Sequence, residues 1–239
     1  MAKYLPLNTK EHRKLRVNTA RGAEFGENVH LIPVIADELR NLVLDYPVFI
    51  MKDPETDRFG MCALLGFEAH ENLYLEGDRW NAIYLPAHIR RQPFILGFRG
   101  EERTPENSLV SLDMDHKRVQ EEVGELLFDD EGKATPYLEN ISQLLGGMMA
   151  GLESTRLFIE LLSEHDLIEP AQINVTFGSG EIKSFEGLYT VNDEKLGELS
   201  GEVLQTMHKP GYLQAASLLI ASMGQMQRLI DLKNSKQAG

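Results

Sequence analysis

The sequence predicts an α+β protein, in which a mainly antiparallel sheet from the N-terminal half packs against helices of the C-terminal half. Two observations support this prediction. Short apolar runs separated by turn residues fill residues 45–115, and their short connections favour antiparallel neighbours. Between residues 117 and 232, apolar residues recur mainly at helical spacing. The predicted organisation is a basic N-terminal arm over residues 1–27, followed by one α+β domain over residues 28–239.

The N-terminal arm differs from the rest of the chain in charge and in pattern. It lacks sustained periodicity, and its first 21 residues hold six Lys or Arg and one acid, within a chain of net charge −13. The arm either folds over an acidic body or is reserved for an anionic partner. The acidic balance of the whole chain argues against general nucleic-acid binding, which needs a basic surface.

The first half of the domain is predicted to begin with a short helix and to continue as strands. The helix begins at Pro33, since proline is tolerated in a first helical turn, and it ends before Pro47. The pattern that predicts it is Val34, Ile35, Leu39, Leu42 and Val43. A helical turn is predicted at Pro86–Arg91 among the strands. The predicted strands are Tyr46–Lys52, Phe59–Phe67, Asn72–Leu75, Trp80–Leu85, Pro93–Phe98 and Leu109–Leu112.

The second half is predicted to be helix-rich, with one hairpin at about residues 172–190 that is a candidate to extend the main sheet. Thr135 and Pro136 have the residue types of an N-cap and a first helical position, so a long amphipathic helix should begin there and reach about Ser163. Gly146, Gly147 and Gly151 lie inside that helix, where glycine either permits a close helix approach or mainly costs stability. The remaining predicted segments are an acidic helix at Lys117–Glu125, a solvated turn at Asp129–Lys133, a helix from Asn192 and a last helix at Tyr212–Leu232.

The chain is expected to be soluble and cytoplasmic. Its first residues lack the apolar segment of a secretory signal, and no stretch approaches the ~18 apolar residues that a membrane span requires. The single cysteine excludes an internal disulfide. Because Cys62 lies in an apolar run, it is interpreted as a small buried hydrophobe rather than a reactive thiol.

The best candidate for a ligand-binding site is the segment from Trp80 to Arg91. Arg90 and Arg91 form an adjacent pair, and arginine forks grip carboxylates and phosphates. Trp80, Tyr84 and His88 are close enough in sequence to form a pocket wall. The alternative is that both arginines form structural salt bridges, for which this acidic chain offers many partners.

A weaker candidate is a divalent-metal or acid–base site at the end of a predicted strand. Asp113 and Asp115 would share one face of that strand, with His116 adjacent. Turn and helix-cap duty is the alternative. No histidine spacing for an iron site, no nucleophile elbow and no nucleotide-binding glycine motif is present, so no cofactor and no complete catalytic set is predicted.

Four methionines on predicted apolar helix faces leave a further choice open. Such residues fill cores by default, but they also form adaptable partner surfaces, which would make the helical half a docking module or homodimer interface. They are Met148, Met149, Met223 and Met226.

A series of short motifs extends along nearly the whole chain. They are His12-Arg13, Leu15-Arg16, Tyr46-Pro47-Val48-Phe49, Gly66-Phe67, Glu71-Asn72-Leu73, Trp80, Tyr84-Leu85-Pro86, Arg90 to Phe94, Leu127-Phe128-Asp129 and Gly132. In these motifs and their order, the chain resembles the SapC family of bacterial proteins. One residue departs from the family pattern, since members usually have tyrosine where this chain has Gln92.

The resemblance implies a link to the cell surface, because the family takes its name from a surface-layer-associated component. Its members are commonly encoded beside outer-membrane receptors and flavin-dependent halogenases. It implies no catalytic residues, cofactor or substrate. The expected function is a cytoplasmic accessory or interaction protein that binds a protein partner or a small anionic ligand. The alternative is a ligand-binding protein or enzyme with a pocket around Trp80–Arg91.

Overall fold

The structure is a computed structural model that describes residues 3–100 and 104–238, and its fold is α+β with antiparallel sheets, as predicted. The helices are α1 (Thr9–His12), α2 (Leu39–Leu42), α3 (Ala87–Arg90), α4 (Pro136–Glu164), α5 (Asp193–Gly197), α6 (Gly201–His208), α7 (Tyr212–Ser222) and α8 (Gln225–Ala238). Short 3-10 helices lie at Ala23–Phe25, Ala36–Glu38 and Pro105–Asn107. None of the helices in these described ranges combines the length and apolarity that a membrane crossing requires.

The strands are short, and every pair that they form is antiparallel. They are β1 (Tyr4–Pro6), β2 (Arg16–Val17), β3 (Leu31–Val34), β4 (Val48–Lys52), β5 (Phe59–Leu64), β6 (Leu75–Glu76), β7 (Arg79–Trp80), β8 (Phe94–Phe98), β9 (Ser108–Asp113), β10 (Val119–Gln120), β11 (Glu125–Leu126), β12 (Ile168–Pro170), β13 (Ile173–Thr176), β14 (Ile182–Phe185) and β15 (Leu188–Val191).

Contacts group the chain into two compact units. Unit 1 takes its described residues from Met1–Glu27, Leu75–Trp80 and Ala87–Ala150, and unit 2 from Asn28–Tyr74, Asn81–Pro86 and Gly151–Gly239. The division into an arm and one domain therefore stays a prediction.

Unit 1 contains a sheet of order β1-β9-β8 and a sheet of order β10-β2-β11. Its core includes Leu15 and Val17, so the N-terminal segment supplies both strands and buried side chains. Leu138, Ile141 and Leu145 from the first half of α4 pack in the same core. The predicted acidic helix at 117–125 is wrong, because β10 and β11 lie there and each pairs with β2.

Unit 2 is built on a sheet of order β12-β15-β4-β5-β3, against which α7 packs. The predicted helix from Pro33 is wrong at its start, because residues Leu31–Val34 form β3. As an edge strand, β3 tolerates proline, and Ile32 and Val34 alternate into the core. The hairpin β13-β14 forms its own two-stranded sheet, and β15 and β12 extend the main sheet instead.

Other local predictions hold with altered bounds. Strands are confirmed at β4, β5, β8 and β9, whereas the segments predicted as Asn72–Leu75 and Trp80–Leu85 supply only β6 and β7. Helix α4 begins at Pro136 as predicted, and the hydroxyl oxygen of Thr135 accepts a hydrogen bond of 3.4 Å from the Leu138 amide. The predicted last helix is divided into α7 and α8.

Candidate functional site

The two arginines of the predicted site lie at the end of α3 in unit 1. Arg91 is half-buried, and its Nη1 donates to the Phe94 carbonyl oxygen at 2.9 Å. The other amino group, Nη2, lies 3.4 Å from Nδ1 of His88. Arg90 is exposed. We call His88, Arg90 and Arg91 the arginine site.

The arginine site carries positive charge, and no carboxylate of the described residues pairs with it. Burial lowers the pKa of the Arg91 guanidinium. Burial, and then the charge of Arg91, lower the pKa of His88 to about 4, so the imidazole is neutral at pH 7. Among the described residues, no carboxylate lies within 4.0 Å of the guanidinium nitrogens of Arg90 or Arg91. Within residues 3–100 and 104–238, Arg90 and Arg91 therefore have no carboxylate partner for a structural salt bridge.

Tyr84, also predicted for the site, belongs to unit 2 and has a scaffold role there. Its hydroxyl donates to Glu38 Oε1 at 2.9 Å, and its carbonyl oxygen accepts from the Tyr46 hydroxyl at 2.6 Å. Trp80 lies on β7 in unit 1, where it pairs with Leu75. Because the five predicted residues are divided between two units, a single pocket formed by all of them stays a prediction.

Sequence reasoning missed a buried carboxylate in unit 2 that organises the segment before Tyr84. Asp45 is fully buried, and its Oδ2 accepts from the Ile83 and Tyr84 amides at 2.8 and 3.2 Å. Its Oδ1 is paired with Arg228 of α8. The two residues are 183 positions apart, and no local pattern signals such a pair.

A second missed cluster lies in unit 1, where Arg118 and Glu27 are both buried and are joined at 2.7 Å. Arg21 reaches the same carboxylate at 2.8 Å, and the Arg118 guanidinium carbon lies 4.3 Å from the ring centroid of Phe25. Arg16 donates to a backbone carbonyl in unit 1 at 2.8 Å. Arg16 and Arg21, two basic residues of the N-terminal segment, therefore bind groups of unit 1 itself.

The side chains of the candidate metal residues Asp113 and His116 accept hydrogen bonds from backbone amides. Asp113 Oδ1 accepts from the Lys3 and Asp115 amides, each at 3.2 Å, and His116 Nδ1 accepts from the Arg118 amide at 3.1 Å. In the part of the chain that the structure describes, no three or more histidine, cysteine, aspartate or glutamate residues are grouped so that they could hold a metal ion.

Cys62 is buried, and burial raises the pKa of its thiol to about 12. This confirms the interpretation of Cys62 as a small hydrophobe, because the nucleophilic thiolate is scarcely populated at pH 7. The four methionines are each partly buried, so the choice between core and partner surface stays open.

A surface cavity of about 330 Å³ lies in unit 2, beside the Ala36–Glu38 turn, the second half of α4 and the start of α7. Asp37 and Arg40 are its charged lining residues, and Ser154, Tyr212 and Gln214 add polar groups. No local pattern in the sequence marks these residues as a site. The signal that could have pointed to them was Gly151, since a Cβ there would lie 2.4 Å from Ile35 Cδ1.

Comparison with known proteins gives one decisive match. The model of the family described as SapC matches residues 7–229. The chain belongs to the SapC family. No curated protein and no solved structure matches this SapC protein.

Proposed function

We propose that this SapC protein is a non-catalytic accessory protein of the cytoplasm, which supports cell-surface or outer-membrane functions by binding an acidic group of a partner at the arginine site. The observation that carries the proposal is the half-buried guanidinium of Arg91, which has no carboxylate within ion-pair distance in the described residues. Membership of the SapC family supports the link to the cell surface.

A half-buried guanidinium without a carboxylate partner favours binding of an anion. Folding has already removed part of its water, so a carboxylate or phosphate restores interactions that hydration no longer supplies. His88 is neutral at pH 7, and it therefore adds no second charge that must be desolvated. Exposed Arg90 adds long-range attraction for the same anion.

The test is a titration of the full chain with sulfate, phosphate, citrate and a hexaglutamate peptide, followed by calorimetry and thermal melting. We expect saturable binding that Arg91→Gln weakens at least tenfold. Arg91→Lys should be weakened to an intermediate extent, since lysine keeps the charge but loses the fork. If a protein is the partner, hexaglutamate should bind more tightly than citrate, and the reverse order would identify a small anion.

The control is Arg58→Gln, which removes the same charge from an exposed position in unit 2. Equal weakening by Arg58→Gln and Arg91→Gln, or no saturable binding by any probe, would contradict the proposal. Fractionation of cells with an antibody to the chain tests the cytoplasmic part separately. Recovery in the periplasm or outer membrane would contradict that part alone.

A further inference from the structure

The surface cavity of unit 2 has the size of a small-ligand site and lies within one unit. Its volume of about 330 Å³ falls at the lower end of the range for small-molecule sites, roughly 300–1,000 Å³. Ala215 and Leu218 of α7 add apolar groups to the lining. A ligand of this size would combine a few polar atoms with a short apolar body.

Specific contacts fix the turn that carries Ala36 and Asp37, two of the lining residues, against α4. The Ala36 amide donates to Thr155 Oγ1 of α4 at 2.8 Å, which fixes the 3-10 turn against the helix. Gly151 allows this approach, because any side chain there would collide with Ile35. The same turn carries Asp37 to the cavity, and the hypothetical Cβ of Gly151 would lie 3.4 Å from Asp37 Oδ2.

The cavity lining presents both signs of charge without neutralising them. Asp37 and Arg40 form no ion pair with each other, and within residues 3–100 and 104–238 neither has an ion pair elsewhere. The guanidinium of Arg40 is oriented by Gln214, whose Oε1 accepts from Arg40 Nη2 at 2.5 Å. Both side chains are exposed, so a ligand can reach them.

Helix α7 adds a third polar feature on the Arg40 side. Its N-cap is Gly211, which provides no side-chain cap, and Gly211 and Tyr212 line the cavity. The first N–H groups of an α-helix lack partners within the helix and favour negative charge. The anion-favouring end of α7 and Arg40 are therefore available to a carboxylate, and Asp37 is available to an ammonium group.

We propose that this cavity binds a free α-amino acid, with its ammonium group at Asp37 and its carboxylate at Arg40 and the start of α7. The unpaired charges of Asp37 and Arg40 are opposite in sign, so they match a zwitterion better than an ion of one sign. The apolar lining from Ala215 and Leu218 would receive an uncharged side chain. This site is independent of the arginine site in unit 1.

The experiment is a binding screen of the full chain by ligand-observed NMR and calorimetry. The probes are L-alanine, L-leucine, L-glutamine and L-phenylalanine, with ethylamine and propionate as single-charge controls. We expect at least one amino acid to bind saturably, and ethylamine and propionate to bind at least tenfold more weakly. Propionate or ethylamine binding as tightly as the amino acids, or no saturable binding by any amino acid, would overturn the proposal.

Two variants assign the binding to this cavity. Asp37→Asn and Arg40→Gln should each weaken the amino acid at least tenfold, and their exposed positions should leave the fold intact, which circular dichroism checks. The matched controls are Asp78→Asn and Arg58→Gln, which make the same charge changes at exposed positions outside the cavity. Binding that survives both cavity variants, or that falls equally in the controls, would overturn the proposal.

Discussion

Removing the Arg228 guanidinium should destabilise the protein far more than removing an exposed arginine. Asp45 is fully buried, whereas the Arg228 side chain is 35% exposed. Arg228→Gln leaves the Asp45 carboxylate buried with only the hydrogen bonds from the Ile83 and Tyr84 amides. Loss of one partner from a buried pair costs about 3–5 kcal/mol. Because the two amides still stabilise the carboxylate, we expect a loss of about 2–3 kcal/mol.

Urea denaturation followed by circular dichroism measures this loss. With an m value of about 2–3 kcal/mol/M, the midpoint should fall by about 1 M. The matched control is Arg156→Gln on α4, because Arg156 pairs with Glu153 and Glu160 on an exposed surface. Exposed pairs contribute little, so the control midpoint should move by a small fraction of that amount. Equal shifts in the two variants would refute the assignment of Asp45 as a buried organising charge.

Three further outcomes are expected. In the folded protein, burial lowers the pKa of His88 to about 4, so the protein loses up to about 3 kcal/mol of stability as the pH falls from 6.5 to 4. His88→Gln should remove this pH dependence, whereas the control His208→Gln should keep it. Cys62 should react with an aromatic disulfide reagent at pH 8 only when urea unfolds the chain, because burial raises its pKa to about 12. Gly124→Ala should cost about 2 kcal/mol or more, since Gly124 has φ +111° and a Cβ would lie 2.3 Å from the Val17 carbonyl oxygen.

Each of these outcomes has a clear opposite. An unchanged pH slope in His88→Gln would show that the imidazole is not held neutral by burial. Rapid labelling of the native thiol would contradict the buried position of Cys62. For glycine the comparison is Gly180→Ala, which has φ +86° but no atom within 4 Å of the added Cβ. If the two alanine variants lost equal stability, the collision at position 124 would not be the cause.

Local signals in the sequence predicted the parts of the fold that local interactions determine. The start of α4 followed from Thr135 and Pro136, because capping and the missing proline N–H act within one helical turn. The buried strands β4 and β5 followed from continuous apolar runs. These features need no knowledge of distant residues.

Other parts of the fold depend on partners that are remote in sequence. β10 and β11 are two-residue strands formed only by pairing with β2, about a hundred positions away, so their acidic sequence favoured a helix instead. Candidate site residues can likewise be grouped from the sequence only when they are close together in the chain. His88 and Arg91 are three residues apart and are brought together by α3, whereas the cavity at Asp37 draws on segments from three parts of the chain.

The most direct test of the proposed function observes the Arg91 guanidinium itself. Two-dimensional NMR of arginine Nε–H groups, with Arg91 assigned through Arg91→Lys, can follow a titration with citrate. We expect the Arg91 resonance to shift saturably, whereas exposed arginines such as Arg58 should show only small, linear shifts. Parallel linear shifts for Arg91 and Arg58 would contradict the claim that Arg91 forms an anion-binding site.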